Sequence, residues 1–93
     1  MNKNKLRLAR NKVDQLDQKI FNLIKKRTQI VKYMLSLKKL RKEIIDYKRN
    51  NEILKKIKKK SIKNSIDPLI TRRIWQAIIW SYIDFQKRNF KKK

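Results

Sequence analysis

Arg27 is the side chain that is hardest to explain by packing, because it interrupts an apolar helical stripe. Residues spaced three and four apart form this stripe, which consists of Ala9, Val13, Leu16, Ile20, Leu23, Arg27, Ile30, Met34 and Leu37. A charge buried without a partner costs several kcal/mol. The guanidinium must therefore meet an anion, which is either a protein carboxylate, such as Asp17 or Asp46, or a bound ligand.

Four further polar side chains lie at helical spacings that could bring them to the same site. Lys38 follows Arg27 by about three helical turns, so it falls on nearly the same face, roughly 16 Å along the axis. Arg10 occupies the same heptad column as Lys38, and Arg49 lies one turn into a predicted second helix. Gln86 lies on an otherwise apolar face of a third helix. Each alone fits a solvated surface; together they form a candidate anion-binding set.

The composition excludes several kinds of site. With no Cys and no His among 93 residues, the chain lacks disulfides, thiol nucleophiles, the usual general base and the common zinc ligands. Its 7 acidic residues form no cluster, so we expect no metal site and no cofactor. This composition favours a negatively charged small molecule as the ligand.

The formal net charge of +22 suggests nucleic-acid binding, since basic faces neutralise phosphates. However, Lys, Ile and Asn dominate while Gly is absent, as expected if AT-rich codons filled every tolerant position. Arginine is then more informative than lysine, because a rigid bidentate fork requires it. A basic helical nucleic-acid-binding protein is kept as an alternative, although we do not expect nucleic acid to be the partner.

The chain carries no recognisable targeting segment. Its N-terminus is basic but lacks the apolar run of about 7–15 residues that a secretory signal needs. No stretch approaches the roughly 20 apolar residues of a membrane span. We therefore expect a cytoplasmic protein with no membrane partner.

The elements that must position the polar set are predicted to be three helices, giving an all-α fold with one very long helix. The first helix runs from about Leu6 to about Leu40 and would span roughly 50 Å at about 1.5 Å per residue. A helix this long needs a partner of similar length, which predicts an intertwined or antiparallel homodimer. Residues 41–45 form a short connection. The second helix starts near Asp46 and turns Ile53, Leu54 and Ile57 inward.

The third helix has the strongest start signal, Asp67-Pro68, an N-cap acid followed by proline. It follows a polar break at residues 61–66. Its predicted inward face consists of Ile70, Ile74, Ala77, Ile78, Tyr82 and Phe85, broadened by Trp75, Ile79 and Trp80. The length predicts a single domain over residues 1–93, with a core at about 6–87 and a basic tail at 88–93.

The order and spacing of these residues resemble the all-helical class of chorismate mutases over about residues 6–87. The resemblance is carried by Leu8-x-Arg10-x-x-Val13-Asp14-x-x-Asp17, Leu23-Ile24-x-x-Arg27, Lys38, Asp46-x-x-Arg49, Ile78-Ile79 and Gln86. It implies an interlocked homodimer in which the first helix spans both subunits. Each of two active sites would be lined mainly by one chain.

The resemblance also implies a role for each member of the polar set. Arg10 would reach into the site from the other subunit. Arg27 and Arg49 would bind the carboxylates of chorismate. Lys38 and Gln86 would donate hydrogen bonds to the ether oxygen of the breaking bond.

Three further positions surround the implied substrate. The backbone around Asp46 would face the ring hydroxyl. Asn50 stands where this family usually has a glutamate that binds the hydroxyl, and Tyr82 stands where a small serine is usual near one carboxylate. These departures bear on rate and substrate choice.

The implied chemistry fits the composition. Chorismate is a dianion, and its rearrangement to prephenate is an intramolecular [3,3] shift that needs no nucleophile, base or metal. To catalyse it, a site needs cations that clamp the two carboxylates and so impose the reactive conformer. It also needs hydrogen-bond donors where negative charge develops. The resemblance therefore predicts an isomerase of aromatic amino-acid synthesis. Alternatives within the fold are an isochorismate pyruvate lyase and a degenerate mutase domain kept as a scaffold.

Overall fold

The computed structural model describes residues 2–91, which form three α-helices and no strand, as predicted. Helix α1 is Asn2–Leu37, α2 is Tyr47–Lys63 and α3 is Pro68–Asn89, with a 3-10 turn at Arg41–Glu43. Helix α1 begins earlier than predicted because its polar first turn contains no helix breaker. It ends three residues before Leu40, which precedes the 3-10 turn in an extended conformation (φ −122°, ψ 139°).

The chain divides into two compact units, one ending at Lys32 and the other covering Tyr33–Lys93. The first unit is a single stretch of helix. Its predicted apolar stripe is exposed: Leu16 is 57% exposed and Leu23 is 62% exposed. Arg27 is the half-buried member of the stripe in this unit.

The less exposed face of the first unit overlaps the stripe only at Arg27. It contains Ile24, Arg27, Thr28 and Val31, of which Val31 is buried at 7% exposure. Thr28 Oγ1 donates to the Ile24 carbonyl at 2.8 Å, so this hydroxyl is satisfied within the helix. At about 100° per residue, this face is turned by roughly 60° from the stripe. The predicted stripe and the less exposed face therefore lie on neighbouring sides of α1.

The second unit builds its own core. Ile44, Ile79 and Ile83 are buried there, packed against the half-buried side chains of Leu35, Ile45, Ile53, Leu54 and Phe90. Burying an isoleucine side chain stabilises a fold by about 1.5–3 kcal/mol. The inward positions predicted for α2 match this core at Ile53 and Leu54.

Helix α2 continues through residues 61–63, so the break predicted at residues 61–66 begins too early. Ser61 explains the difference, because its polar side chain is only 3% exposed and is satisfied. Ser61 Oγ donates to the Ile57 carbonyl at 2.6 Å and shares a 2.7 Å hydrogen bond with Thr71 Oγ1. A residue that looks like a loop residue in the sequence thus joins α2 to α3.

The turn between α2 and α3 is made without glycine. Ser65 takes the left-handed conformation at φ 57°, and Ile66 N–H returns to the Ser61 carbonyl at 2.9 Å. The predicted start of α3 is confirmed: Asp67 Oδ1 accepts from Leu69 N–H at 2.9 Å, with Pro68 at the first helical position.

The predicted inward face of α3 is partly wrong. Ile70 and Ile74 are 56% and 47% exposed, whereas Ile79, Ile83 and Gln86 are buried. Apolar residues cover most of the α3 circumference, so periodicity alone does not select the buried side. Helix α3 also includes residues 88 and 89 of the predicted tail; residues 92 and 93 of that tail lie outside the described residues.

Candidate active site

Lys38 and Gln86 meet inside the second unit although 48 positions separate them in sequence. Lys38 Nζ donates a hydrogen bond to Gln86 Oε1 at 2.7 Å. Lys38 directly follows α1, where its backbone N–H donates to the Leu35 carbonyl at 3.1 Å. Gln86 lies on the buried side of α3 at 7% exposure. The fold thus brings together the two residues predicted to act on the ether oxygen.

The orientation of the Gln86 amide follows from its partners. A lysine ammonium is only a donor, so the amide oxygen must face Lys38. The amide nitrogen then faces along α3, and Nε2 donates to the Tyr82 carbonyl at 3.2 Å. Two partners therefore hold a nearly buried side chain in one position, as a preorganised site requires.

The Lys38–Gln86 pair retains hydrogen-bond donors. An ammonium has three N–H bonds and a primary amide has two. The contacts to Gln86 Oε1 and to the Tyr82 carbonyl use one N–H of each group. The remaining donors lie close together, so they could converge on one oxygen that gains negative charge during a reaction.

The electrostatic surroundings of Lys38 have two opposing parts. Burial lowers the pKa of the Lys38 ammonium below its ordinary value. The carboxylates of Glu43 and Asp46 raise that pKa and offset part of the effect of burial. A half-buried ammonium that loses solvent gains more from a nearby anion than an exposed one does.

Glu43 is a neighbour of the site that sequence reasoning misses. It lies in the 3-10 turn, where its Oε1 accepts from the Leu40 backbone N–H at 3.2 Å. The signal in the sequence is the spacing of a helix-capping acid three residues after residue 40. An apolar leucine at the cap position hides that signal.

The first turn of α2 carries three of the predicted site residues. Asp46 caps the helix, with Oδ1 accepting from Arg49 N–H at 2.9 Å, and Asn50 N–H donates to the Asp46 carbonyl at 2.9 Å. Asp46 and Arg49 are exposed, and Asn50 is half-buried. The cap fixes the start of α2 and so fixes where the Arg49 and Asn50 side chains leave the backbone.

Tyr82 lies one helical turn before Gln86 on α3 and is half-buried. Its carbonyl oxygen is the acceptor for the Gln86 amide. Tyr82 is therefore adjacent to the Lys38–Gln86 pair.

Arg10 and Arg27 belong to the first unit. Arg10 is exposed and Arg27 is half-buried. Within the second unit, Lys38 bonds to Gln86, which bonds to the Tyr82 carbonyl. Asp46 lies near Lys38 and caps the helical turn that carries Arg49 and Asn50.

Comparison with known families decides what this helical arrangement is. The chain matches the family described as chorismate mutase type II over residues 9–87. The protein belongs to that family. No curated protein and no solved structure matches the chain.

Membership gives the coarse function, a chorismate mutase-like activity on chorismate. The matched range contains every predicted site residue from Arg10 to Gln86. Residues 2–91 contain no group of three or more acidic, histidine or cysteine side chains that could hold a metal ion. Within the same residues no helix is long and apolar enough to cross a membrane.

Proposed function

We propose that this chorismate mutase family member converts chorismate to prephenate by an intramolecular [3,3] rearrangement. The observation that carries the proposal is the 2.7 Å hydrogen bond from Lys38 Nζ to Gln86 Oε1. It supports a role for both side chains as donors to the ether oxygen, where negative charge develops as the carbon–oxygen bond breaks.

The catalytic step in this proposal needs no covalent participation by the protein. One carbon–oxygen bond breaks while one carbon–carbon bond forms within the same molecule, so atoms and electrons balance without a cofactor or metal. Lys38 and Gln86 stabilise the oxygen, and the rest of the site holds the substrate in the reactive conformer.

The two carboxylates of chorismate require cationic clamps. We assign them to Arg27 and Arg49, because a guanidinium binds a carboxylate through two parallel hydrogen bonds. Arg49 leaves the capped first turn of α2, near the same end of the unit as Lys38. Arg27 is half-buried in α1.

The site is completed by a second copy of the chain in this proposal. The exposed stripe of α1 supports a homodimer, because contact with another apolar helix would remove Leu16, Ile20 and Leu23 from water. In the interlocked arrangement Arg10 enters the active site of the partner subunit. Arg10 is exposed in the single chain, so its side chain is available for that role.

The remaining site residues set substrate choice. The backbone around Asp46 and the side chain of Asn50 face the ring hydroxyl, and Tyr82 adjoins one carboxylate. An asparagine at position 50 can still accept a hydrogen bond, although it is shorter than glutamate and neutral.

The whole chain acts as one domain in this proposal. It acts in the cytoplasm, in the synthesis of phenylalanine and tyrosine.

Turnover of chorismate by the purified protein tests the proposal. Loss of chorismate absorbance with formation of prephenate supports it. No turnover at high protein concentration would contradict it and favour a scaffold role. Pyruvate release from isochorismate without prephenate formation would instead assign the pocket to the related lyase reaction.

A further inference from the structure

A groove lies between α2 and the beginning of α3, in the second unit. Its volume is about 220 Å³, and it is lined by Leu54, Ile57, Lys58, Pro68, Leu69 and Arg72. None of these residues belongs to the proposed active site. The groove is therefore a separate feature of the α2–α3 pair.

The lining combines an apolar surface with two cations. Leu54, Ile57 and Pro68 are half-buried and form the walls, while Lys58 and Arg72 are exposed. Within residues 2–91 neither cation is in an ion pair with a carboxylate. Asp67, the acid next to this part of α3, uses Oδ1 to accept from Leu69 N–H at 2.9 Å.

We propose that this groove binds a small amphipathic carboxylate, with an apolar body of about one aromatic ring against the walls. A carboxylate would meet the Arg72 fork and the Lys58 ammonium. The volume is below the range of about 300–1,000 Å³ that drug-sized ligands occupy, which limits the ligand to a metabolite-sized molecule.

The chemistry of the groove disfavours a polyanion. Phosphate backbones are bound by cations on accessible polar surface, and their desolvation against leucine and isoleucine side chains costs free energy. A monoanion with an apolar body instead gains from both parts of the lining. The groove thus selects for a ring that carries one carboxylate.

Titration of the full-length protein with 3-phenylpropionate tests the proposal. We expect saturable methyl NMR shifts at Leu54, Ile57 and Leu69. The neutral analogue 3-phenylpropanol and the ringless propionate should each bind at least about fivefold more weakly, because each lacks one of the two interactions. Equal binding of the alcohol would overturn the proposal, as would shifts confined to Ile79 and Ile83 near the proposed active site.

Two pairs of variants separate this site from diffuse positive charge. Arg72→Gln should weaken 3-phenylpropionate binding about tenfold, while Arg73→Gln, which removes an exposed cation outside the lining, should change it less than twofold. Leu69→Asp should abolish binding, and Ile70→Asp is its control, since both positions are at least half exposed.

The variant results are decisive in either direction. Equal losses for Arg72→Gln and Arg73→Gln would overturn the proposal, because they would assign binding to overall charge. Circular dichroism of each variant verifies that the helices are retained. None of these readouts depends on chorismate turnover, so a failure here is distinct from a failure of the proposed function.

Discussion

The two compact units differ in whether their apolar side chains form a core. In the second unit Ile44, Ile79 and Ile83 are buried, with exposures from 4% to 7%. In the first unit Leu16 and Leu23 are more than half exposed. The second unit therefore builds a small core of its own, although Ile70 and Ile74 stay about half exposed. The first unit is a stretch of helix whose exposed apolar stripe is suited to contact with another surface.

The predicted site residues are also divided between the two units. The second unit holds Lys38 and Gln86 at hydrogen-bond distance, with no residue of the first unit needed for that contact. Arg10 and Arg27 are carried by the first unit. The comparison separates a hydrogen-bonded pair within the second unit from two cations that the first unit carries.

The largest effect is expected from breaking the donor pair of the second unit. Lys38→Ala should lower kcat/KM for chorismate by about 10³-fold, because it removes a charge-assisted donor at the developing oxyanion. Lys39→Ala is the matched control, since Lys39 is exposed and adjacent, and it should retain activity within about twofold. Equal losses in the two variants would contradict the role given to Lys38.

A charge on the exposed stripe tests the first unit. Leu16→Lys should shift the protein from dimer to monomer in analytical ultracentrifugation and lower activity about 10²-fold, because a lysine would have to be buried at the interface. Gln18→Lys adds the same charge on the opposite face of α1 and should leave both properties unchanged. A wild-type monomer with full activity would show that the stripe serves another purpose.

The pKa of Lys38 gives a smaller, pH-dependent effect. Burial lowers this pKa, so kcat/KM should fall as pH rises through a value below that of an ordinary lysine. A bound dianion favours the ammonium, so the fall in kcat should occur at higher pH than the fall in kcat/KM. Rate profiles from pH 7 to pH 11 measure both limbs; coincident limbs would argue against contact between Lys38 and the substrate.

The lowered pKa of Lys38 should also make the folding stability depend on pH, in a direction that can be worked out. The unfolded chain holds the Lys38 proton with the ordinary lysine pKa, and the folded chain releases it at lower pH. Between these two values the unfolded state binds more protons, so this residue makes stability increase with pH.

The smallest effect is expected at Asn50, one of the two departures from the family pattern. Asn50→Glu should lower KM for chorismate about three- to tenfold by restoring a charged acceptor for the ring hydroxyl. Asn51→Glu, at the exposed neighbouring position, is its control. No difference between the two variants would remove Asn50 from the substrate contacts.

Much of the fold could be predicted from local signals. Asp46 and Asp67 each cap a helix by accepting a hydrogen bond from its first turn, and Pro68 follows Asp67. Because these contacts are local, the residue types alone are enough to predict both helix starts. The contact between Lys38 and Gln86 is long-range. The resemblance to the family implies that both side chains act on one oxygen, whereas helical periodicity alone does not pair them.

Other features could not be predicted, for physical reasons. Ser61 looks like a loop residue, yet its hydroxyl is paired with Thr71, a contact that depends on tertiary packing. Ile70 and Ile74 match the period of a buried face but are exposed, because α3 carries apolar residues on several sides. Periodicity shows that a face is apolar and leaves open what covers it.

The contrast between the two units is tested most directly by mixing two inactive variants. In a hybrid dimer of Arg10→Ala and Lys38→Ala chains, one of the two shared sites has every residue intact and the other has both defects. Random mixing should therefore recover about a quarter of wild-type chorismate mutase activity. Hybrid dimers that form, as verified by mass spectrometry, but show no more activity than the parents would contradict a site completed across subunits.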